Sequence, residues 1–432
     1  MAYSLSISVT TNSQSVANNS SNVTVKVNCS WTYGTWSGEN LTKYCTIDGT
    51  TRYFSDTDIN PNKTTSGSST LYTWTGDIKH NSDGTKKLKV YASTKTTNNS
   101  GTQTASKEVT LTTIPRASTV SATSAVVGSQ STITISRKSS SFTHTLKYTF
   151  GSLSGTIATK TTSTSVKWTL PTSFYAQIGS TATSKSGTIT CETYSGSTLI
   201  GTKTASFTAK TSSATCAPTL SPTVTNYEST QALTGDTTTL IRYYSDAHIV
   251  FNASARNSAT LKSKKVTNSG KSRTTDGDIS KVTSGTFSFT ATDSRGYTTT
   301  KTVTNKLVNY VKLTCDFKVN LAVDGTGTLK VNGNCFNGSF GAVSNTLTVQ
   351  FRYKRSGGTY SDWITTTATI SGNTYSVNRA LKDYDYQTTY VFQARAVDKL
   401  YTITASEKSV KALPVFDWGE SSFNHNTSVT LA

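Results

Sequence analysis

The sequence predicts an all-β protein: a tandem array of about four β-sandwich domains followed by a short C-terminal strand segment. Three observations predict it. Short apolar–polar alternations recur along the 432 residues, Gly-containing turns separate them, and prolines mark seams at intervals close to one small sandwich. A hydrophobic content of 34% suits several thin two-sheet cores better than one large core. Ser, Thr, Val and Tyr favour strands and turns, and no convincing amphipathic helix is found. The 21 Tyr, 15 Phe and 6 Trp, set inside alternating segments, separate the chain from a disordered Ser/Thr-rich polymer.

Pro115, Pro218 with Pro222, and Pro414 divide the chain into modules 1–114, 115–217, 218–312 and 313–413, with a tail 414–432. In the first module, strands are predicted at Ser4–Val9, Asn22–Trp31 and Leu71–Thr75. The turn Asp83-Gly84 then feeds an alternation in which Leu88, Val90 and Ala92 oppose Lys87, Lys89 and Tyr91, and Glu108–Thr113 closes the module. The second module shows strands at Ser131–Ser136, Thr145–Phe150, Ser165–Leu170, Gly187–Tyr194 and Thr202–Ala209. The third begins at Thr219–Thr225, continues through Ala247–Ala255, and ends with Thr286–Thr292, a Gly-containing turn and Thr298–Leu307. The fourth contains Leu347–Tyr353, Thr374–Leu381 and Thr389–Asp398.

The formal charge is +19, distributed as +3, +8, +6 and +4 over the four modules and −2 in the tail. A basic surface accumulates near anionic polymers such as wall glycans or nucleic acid. The lysines are dispersed, so edge protection of sheets is the leading explanation, and nucleic acid is an unlikely partner. Residues 115–217, with Glu192 as sole acid, are the most basic stretch. The six cysteines lack C-x-x-C spacing and are expected as buried thiols of a protein made in a reducing cytoplasm. The N-terminus reads as a strand without a signal peptide, and no apolar run is long enough to span a bilayer, so membrane insertion is not expected.

Catalytic constellations are missing. The four histidines are far apart in sequence, with no H-E-x-x-H, G-x-S-x-G elbow or P-loop, so no enzyme activity is expected. A histidine beside a turn, such as His80, is expected as a surface or hairpin residue. The acid pairs Asp56/Asp58, Asp276/Asp278 and Asp383/Asp385 more simply satisfy turn backbone groups. Structural calcium near Asp276 and Asp278 is a minor alternative, no other cofactor being expected. Aromatic side chains are the remaining candidates, because ring faces stack on sugars. Tyr33 and Trp36, and Tyr360 and Trp363, are candidate surface-glycan contacts, whereas Trp31 and Trp74 fit the core side of strands. Phe416, Trp418 and Phe423 mark either a final strand folded onto the fourth module or a strand that pairs with another subunit.

Tyr390-Val391-Phe392-Gln393-Ala394-Arg395-Ala396, after Leu381 and a polar loop, resembles the strand E to strand F passage of fibronectin type III domains, with Tyr384 or Tyr390 in the corner position. His80-Asn81-Ser82-Asp83-Gly84-Thr85-Lys86, Asp293-Ser294-Arg295-Gly296 and Phe416-Asp417-Trp418-Gly419-Glu420-Ser421-Ser422-Phe423-Asn424 together look like the minor structural proteins of siphovirus tails. That family is built from repeated Ig-like and fibronectin type III-like modules. The resemblance implies a virion protein of the tail tip, baseplate or tail fibre, assembled in the host cytoplasm without a signal peptide. Implied partners are other tail and baseplate proteins, further copies of the chain in a homo-oligomer, and host cell-wall polysaccharide or teichoic acid. Alternatives are a capsid-attached fibre, a bacterial surface adhesin and a wall-polysaccharide hydrolase.

Overall fold

A computed structural model describes residues 3–32, 40–54, 66–96, 101–411, 416–419 and 422–425. The protein is all-β, and Met1–Ser212 and Ser213–Ala432 form two compact units. Among the described residues from Tyr3 to Val410, strand pairing closes within four successive sets, and in each set seven strands follow one rule; Phe416–Gly419 and Ser422–His425 pair separately with each other. The first, second and fifth form one sheet; the fourth, third, sixth and seventh, in that order, form the other.

In the first set, Tyr3–Ser15, Ser20–Trp31 and Gly67–Lys79 face Thr50–Tyr53, Asn40–Ile47, Lys86–Thr96 and Thr102–Leu111. Val23, Val25 and Val27 from one sheet meet Ile47, Leu88 and Val90 from the other in one buried cluster. Period-two patterning therefore becomes a two-sheet core directly. The second set repeats the rule with Thr119–Ala122, Gln130–Ser136 and Ser165–Thr169 against Leu153–Thr161, Phe142–Phe150, Ser184–Ser195 and Thr198–Lys210. Ala125–Val126 adds a parallel pairing to the last of these. Its core is aromatic: Phe150 stacks on Phe174 at 4.1 Å between centroids, and Trp168 meets Phe207 edge-on at 5.2 Å across the two sheets.

In the second unit, Thr223–Thr225, Ala247–Val250 and Gly277–Ile279 oppose Lys271–Arg273, Leu261–Asn268, Thr286–Asp293 and Thr298–Thr304. The last set pairs Asp316–Leu321, Gly327–Asn334 and Thr374–Leu381, with Thr369–Ser371 added at the edge. Its other sheet contains Ile364–Thr366, Thr348–Arg355, Tyr390–Val397 and Thr402–Thr404. The Tyr390 hydroxyl accepts the Asp385 amide at 3.2 Å, so Tyr390 holds the corner, while Tyr384 packs edge-on against it.

The Asp-Gly-Thr tripeptide makes three of the turns. At Asp48-Gly49 both residues have positive φ (50° and 80°), which matches the strand twist of a two-residue hairpin. Asp83 and Asp324 instead accept the amide and hydroxyl of Thr85 and Thr326, and these bonds hold both carboxyls below the usual carboxylate range. The Asp83-Gly84 turn also locks the first seam. Ile114 N–H donates to Gly84 O at 2.9 Å, and a Cβ on Gly84 would sit 2.0 Å from the Ile114 carbonyl oxygen. Two residues on, Arg116 reaches both neighbouring sets, donating to Val16 O at 2.7 Å and Ile200 O at 2.9 Å.

Some sequence expectations need correction. His80 belongs to the hairpin, one of its two expected placements, but is buried rather than on the surface, placed between Ser21 Oγ and Gly84 O at 2.8 Å each. Lys87 and Lys89 do not protect an edge: their strand lies inside its sheet, and both ammonium groups face Glu108 on the next strand, at 3.4 and 3.7 Å. A seven-residue helix, Glu228–Thr234, interrupts the third set and ends at Gly235 in the left-handed region. All six cysteines are free thiols, five of them buried, and burial pushes Cys45 and Cys191 up to about 11.

Candidate functional site

Tyr360 and Trp363 are brought together on the outer face of the Thr348–Arg355 strand. Alternation sends Val349 and Phe351 into the core, so Gln350, Arg352 and Lys354 face outward. On the neighbouring strand Gln393 and Arg395 occupy the same face, in register as Gln350 opposite Arg395 and Arg352 opposite Gln393. Each arginine is fixed by the glutamine opposite. Arg395 Nε donates to Gln350 Oε1 at 2.8 Å, and Arg352 donates through Nε and Nη2 to Gln393 Oε1 at 3.0 and 2.7 Å.

The connection after Arg355 folds back over these side chains, held by Ser361 N–H to Tyr353 O at 2.9 Å. A ladder of alternating cations and rings results. Lys354 Nζ lies 4.5 Å from the Tyr360 centroid, the Arg352 guanidinium 4.2 Å from Tyr360 and 4.5 Å from Trp363, and the Arg395 guanidinium 4.1 Å from Trp363. Such contacts contribute about 0.5–2 kcal/mol each, depending on desolvation. Burial, reinforced by the Glu407 carboxylate, pushes the Tyr360 hydroxyl up to about 12, so it remains a neutral phenol at physiological pH. None of the ion pairs among the described residues involves Lys354, Arg352 or Arg395. The face therefore presents three cations against two rings, with the Glu407 carboxylate beside Tyr360, an arrangement suited to an anionic polymer more than to a neutral sugar stacked on bare rings.

The other predicted residues are placed differently. Tyr33 and Trp36, and the acids Asp56 and Asp58, lie outside the described residues. The strand carrying Phe416 and Trp418, Phe416–Gly419, pairs antiparallel with Ser422–His425, which brings Trp418 opposite Phe423 in register. Trp31 and Trp74 are half-buried. Asp276 accepts the Phe251 amide at 3.1 Å and faces Lys264 at 3.7 Å. Asp278 accepts the Tyr227 hydroxyl at 2.6 Å and contacts His248 Nδ1 at 2.9 Å. Asp385 accepts the Gln387 amide and the Thr388 hydroxyl. Among the described residues, no group of three or more His, Cys, Asp or Glu side chains gathers as a metal-ligand set. Glu192 pairs with Lys147 at 2.6 Å and accepts the Tyr194 hydroxyl at 2.9 Å; Lys147 leads in holding its carboxyl below the usual range.

Sequence reasoning found the two rings but missed Arg352, Lys354 and Arg395. The available signal was Gln350-x-Arg352-x-Lys354 in one strand and Gln393-x-Arg395 in another, both on the polar parity. No described helix is long and apolar enough to cross a membrane. A comparison with curated proteins finds no match. The family model described as siphovirus protein of unknown function (DUF859) matches residues 1–402, and the chain belongs to that family of siphovirus proteins.

Proposed function

We propose that this protein is a non-enzymatic structural component of the siphovirus virion, located in the tail tip, baseplate or a tail fibre. Its four strand sets act as Ig-like and fibronectin type III-like spacer modules, with the cation–aromatic ladder as a weak adhesive surface for host wall polymers. The observation that carries this reading is the fourfold use of one strand order, with the first, second and fifth strands facing the fourth, third, sixth and seventh. Repetition of one sandwich supplies length and spacing, and family membership supplies the phage context. Partners would be other tail proteins and further copies of the chain. Many copies on one particle would convert weak contacts with wall polysaccharide or teichoic acid into useful avidity. Mass spectrometry of purified, nuclease-treated virions tests the assignment: the chain should be present in stoichiometric amount, and its absence from mature particles would overturn the reading.

A further inference from the structure

Within the second unit, a cavity of about 450 Å³ opens where the third and fourth strand sets meet, lined among others by Tyr243, Lys271, Lys281, Lys312 and Tyr401. The three lysines come from three separate stretches of chain. Lys271 Nζ donates to the carbonyls of Ser280 and Lys281, which fixes its ammonium in the wall, and Lys312 Nζ lies 4.5 Å from the Tyr243 centroid. No ion pair among the described residues joins any of the three to a carboxylate. The nearby acids are engaged elsewhere. Asp246 accepts the Lys281 amide at 2.8 Å, and Asp398 accepts the Tyr310 hydroxyl and the Leu400 and Tyr401 amides, each at 2.8 Å.

Backbone strain gives an independent sign. Tyr243 and Lys281 both adopt left-handed conformations, at φ of 67° and 45°, and both face this cavity. Bulky residues avoid that region unless their surroundings impose it, and such residues concentrate at ligand sites. Here the surroundings do impose it. Tyr243 N–H donates to Val282 O at 2.8 Å, Val282 N–H to Ser245 O at 3.0 Å, and the Tyr401 hydroxyl to Tyr243 O at 2.9 Å. The strain is thus held at two positions that line one space.

We propose that this cavity binds a phosphorylated sugar, with phosphate on Lys271, Lys281 and Lys312 and the sugar ring against Tyr243 and Tyr401. Ammonium groups supply charge-assisted hydrogen bonds to phosphate, and the volume lies within the usual range for small-ligand sites. The Tyr243 ring, approached by the Lys312 ammonium at 4.5 Å and the Arg242 guanidinium at 4.8 Å, lines the space beside Tyr401 for the sugar. The inference rests on the adhesion reading only for the source of the ligand, a phosphate-bearing host glycan.

The test is calorimetric titration of the full chain with glucose 1-phosphate, glucose and inorganic phosphate. Glucose 1-phosphate should bind saturably and more tightly than either fragment. Lys271→Gln and Lys312→Gln should each weaken it about tenfold, the effect of one lost charge-assisted bond. Lys312→Gln, which breaks no ammonium hydrogen bond among the described residues, should do so at unchanged unfolding temperature. Tyr243→Asn, which tolerates the left-handed backbone, should lose the preference for the sugar over bare phosphate. The proposal is overturned by absence of saturable binding, by affinity in both lysine variants unchanged from that of the unsubstituted chain, or by stronger binding of a single-stranded oligonucleotide at the same site. A chain present in virions that fails to bind the probe overturns the cavity assignment while leaving the tail assignment standing.

Discussion

Tyr310 donates its hydroxyl to Asp398 Oδ2 at 2.8 Å, tying the link between the third and fourth strand sets to the turn after Tyr390–Val397. Burial, then the adjacent carboxylate, push the phenol above its ordinary range, so it stays a donor. Tyr310→Phe keeps the ring contacts with Phe336 and Tyr401 but leaves Asp398 Oδ2 with only the 3.4 Å contact from Asn345. Loss of a buried hydrogen bond to a charged group costs about 1.5–3 kcal/mol. Denaturant unfolding of the chain should show that loss in the transition of the second unit, and an unchanged midpoint contradicts it.

Four glycines sit opposite aromatic residues on the adjacent strand: Gly67 with Trp31, Gly155 with Tyr148, Gly187 with Phe207, and Gly333 with Tyr375. In each case a Cβ on the glycine would lie within 3.0 Å of the ring opposite, so the ring lies across the space a side chain would fill. Gly187 has the closest ring contact of the four, 2.6 Å to Phe207, and its Cβ would also sit 2.7 Å from the Thr149 carbonyl oxygen. Gly187→Ala should destabilise by about 1–3 kcal/mol as Phe207 is displaced. A neutral or stabilising effect, as strand propensity alone would give, contradicts the cross-strand account.

His144 is fully buried, with Nε2 2.9 Å from Ser118 Oγ, and burial, aided by Arg137, lowers its imidazole below the usual value. A depressed histidine means that the unfolded chain binds the proton more readily. The stability contribution is therefore complete above the unfolded value near 6.5 and is lost as pH falls below it. Unfolding temperature should drop between about pH 7 and pH 5, and His144→Gln should flatten that drop. A titration of the native imidazole by NMR with a midpoint above 6.5 rules the explanation out.

The ladder predicts a salt-sensitive surface. Arg352→Gln and Trp363→Ala should each reduce retention of the chain on purified host walls about three- to tenfold, with Arg352→Gln also flattening the salt dependence. Cosedimentation across a salt series separates these effects. Retention insensitive to both substitutions removes the ladder from any adhesive role.

The sequence was most legible where one strand alone carries the pattern. Thr374–Leu381 is predicted and observed with the same bounds, and Leu88, Val90 and Ala92 are buried while Lys87 and Lys89 are exposed. Legibility failed where a partner strand decides. Ala247–Ala255 reads as one strand, yet it breaks around Asn252, whose φ is 43°. The burial of His80 was hidden because its second partner, Ser21, is 59 residues away. The ladder was half visible for the same reason: Tyr360 and Trp363 stand out in composition, whereas the arginines that cover them are selected by register.

Location on the particle bears most directly on the central claim. Cryo-electron microscopy of the virion, with gold-labelled antibody against this chain, should place it at the tail tip, baseplate or a tail fibre, with densities matching successive two-sheet modules. Label confined to the capsid, or a mature particle without the chain, would contradict the account.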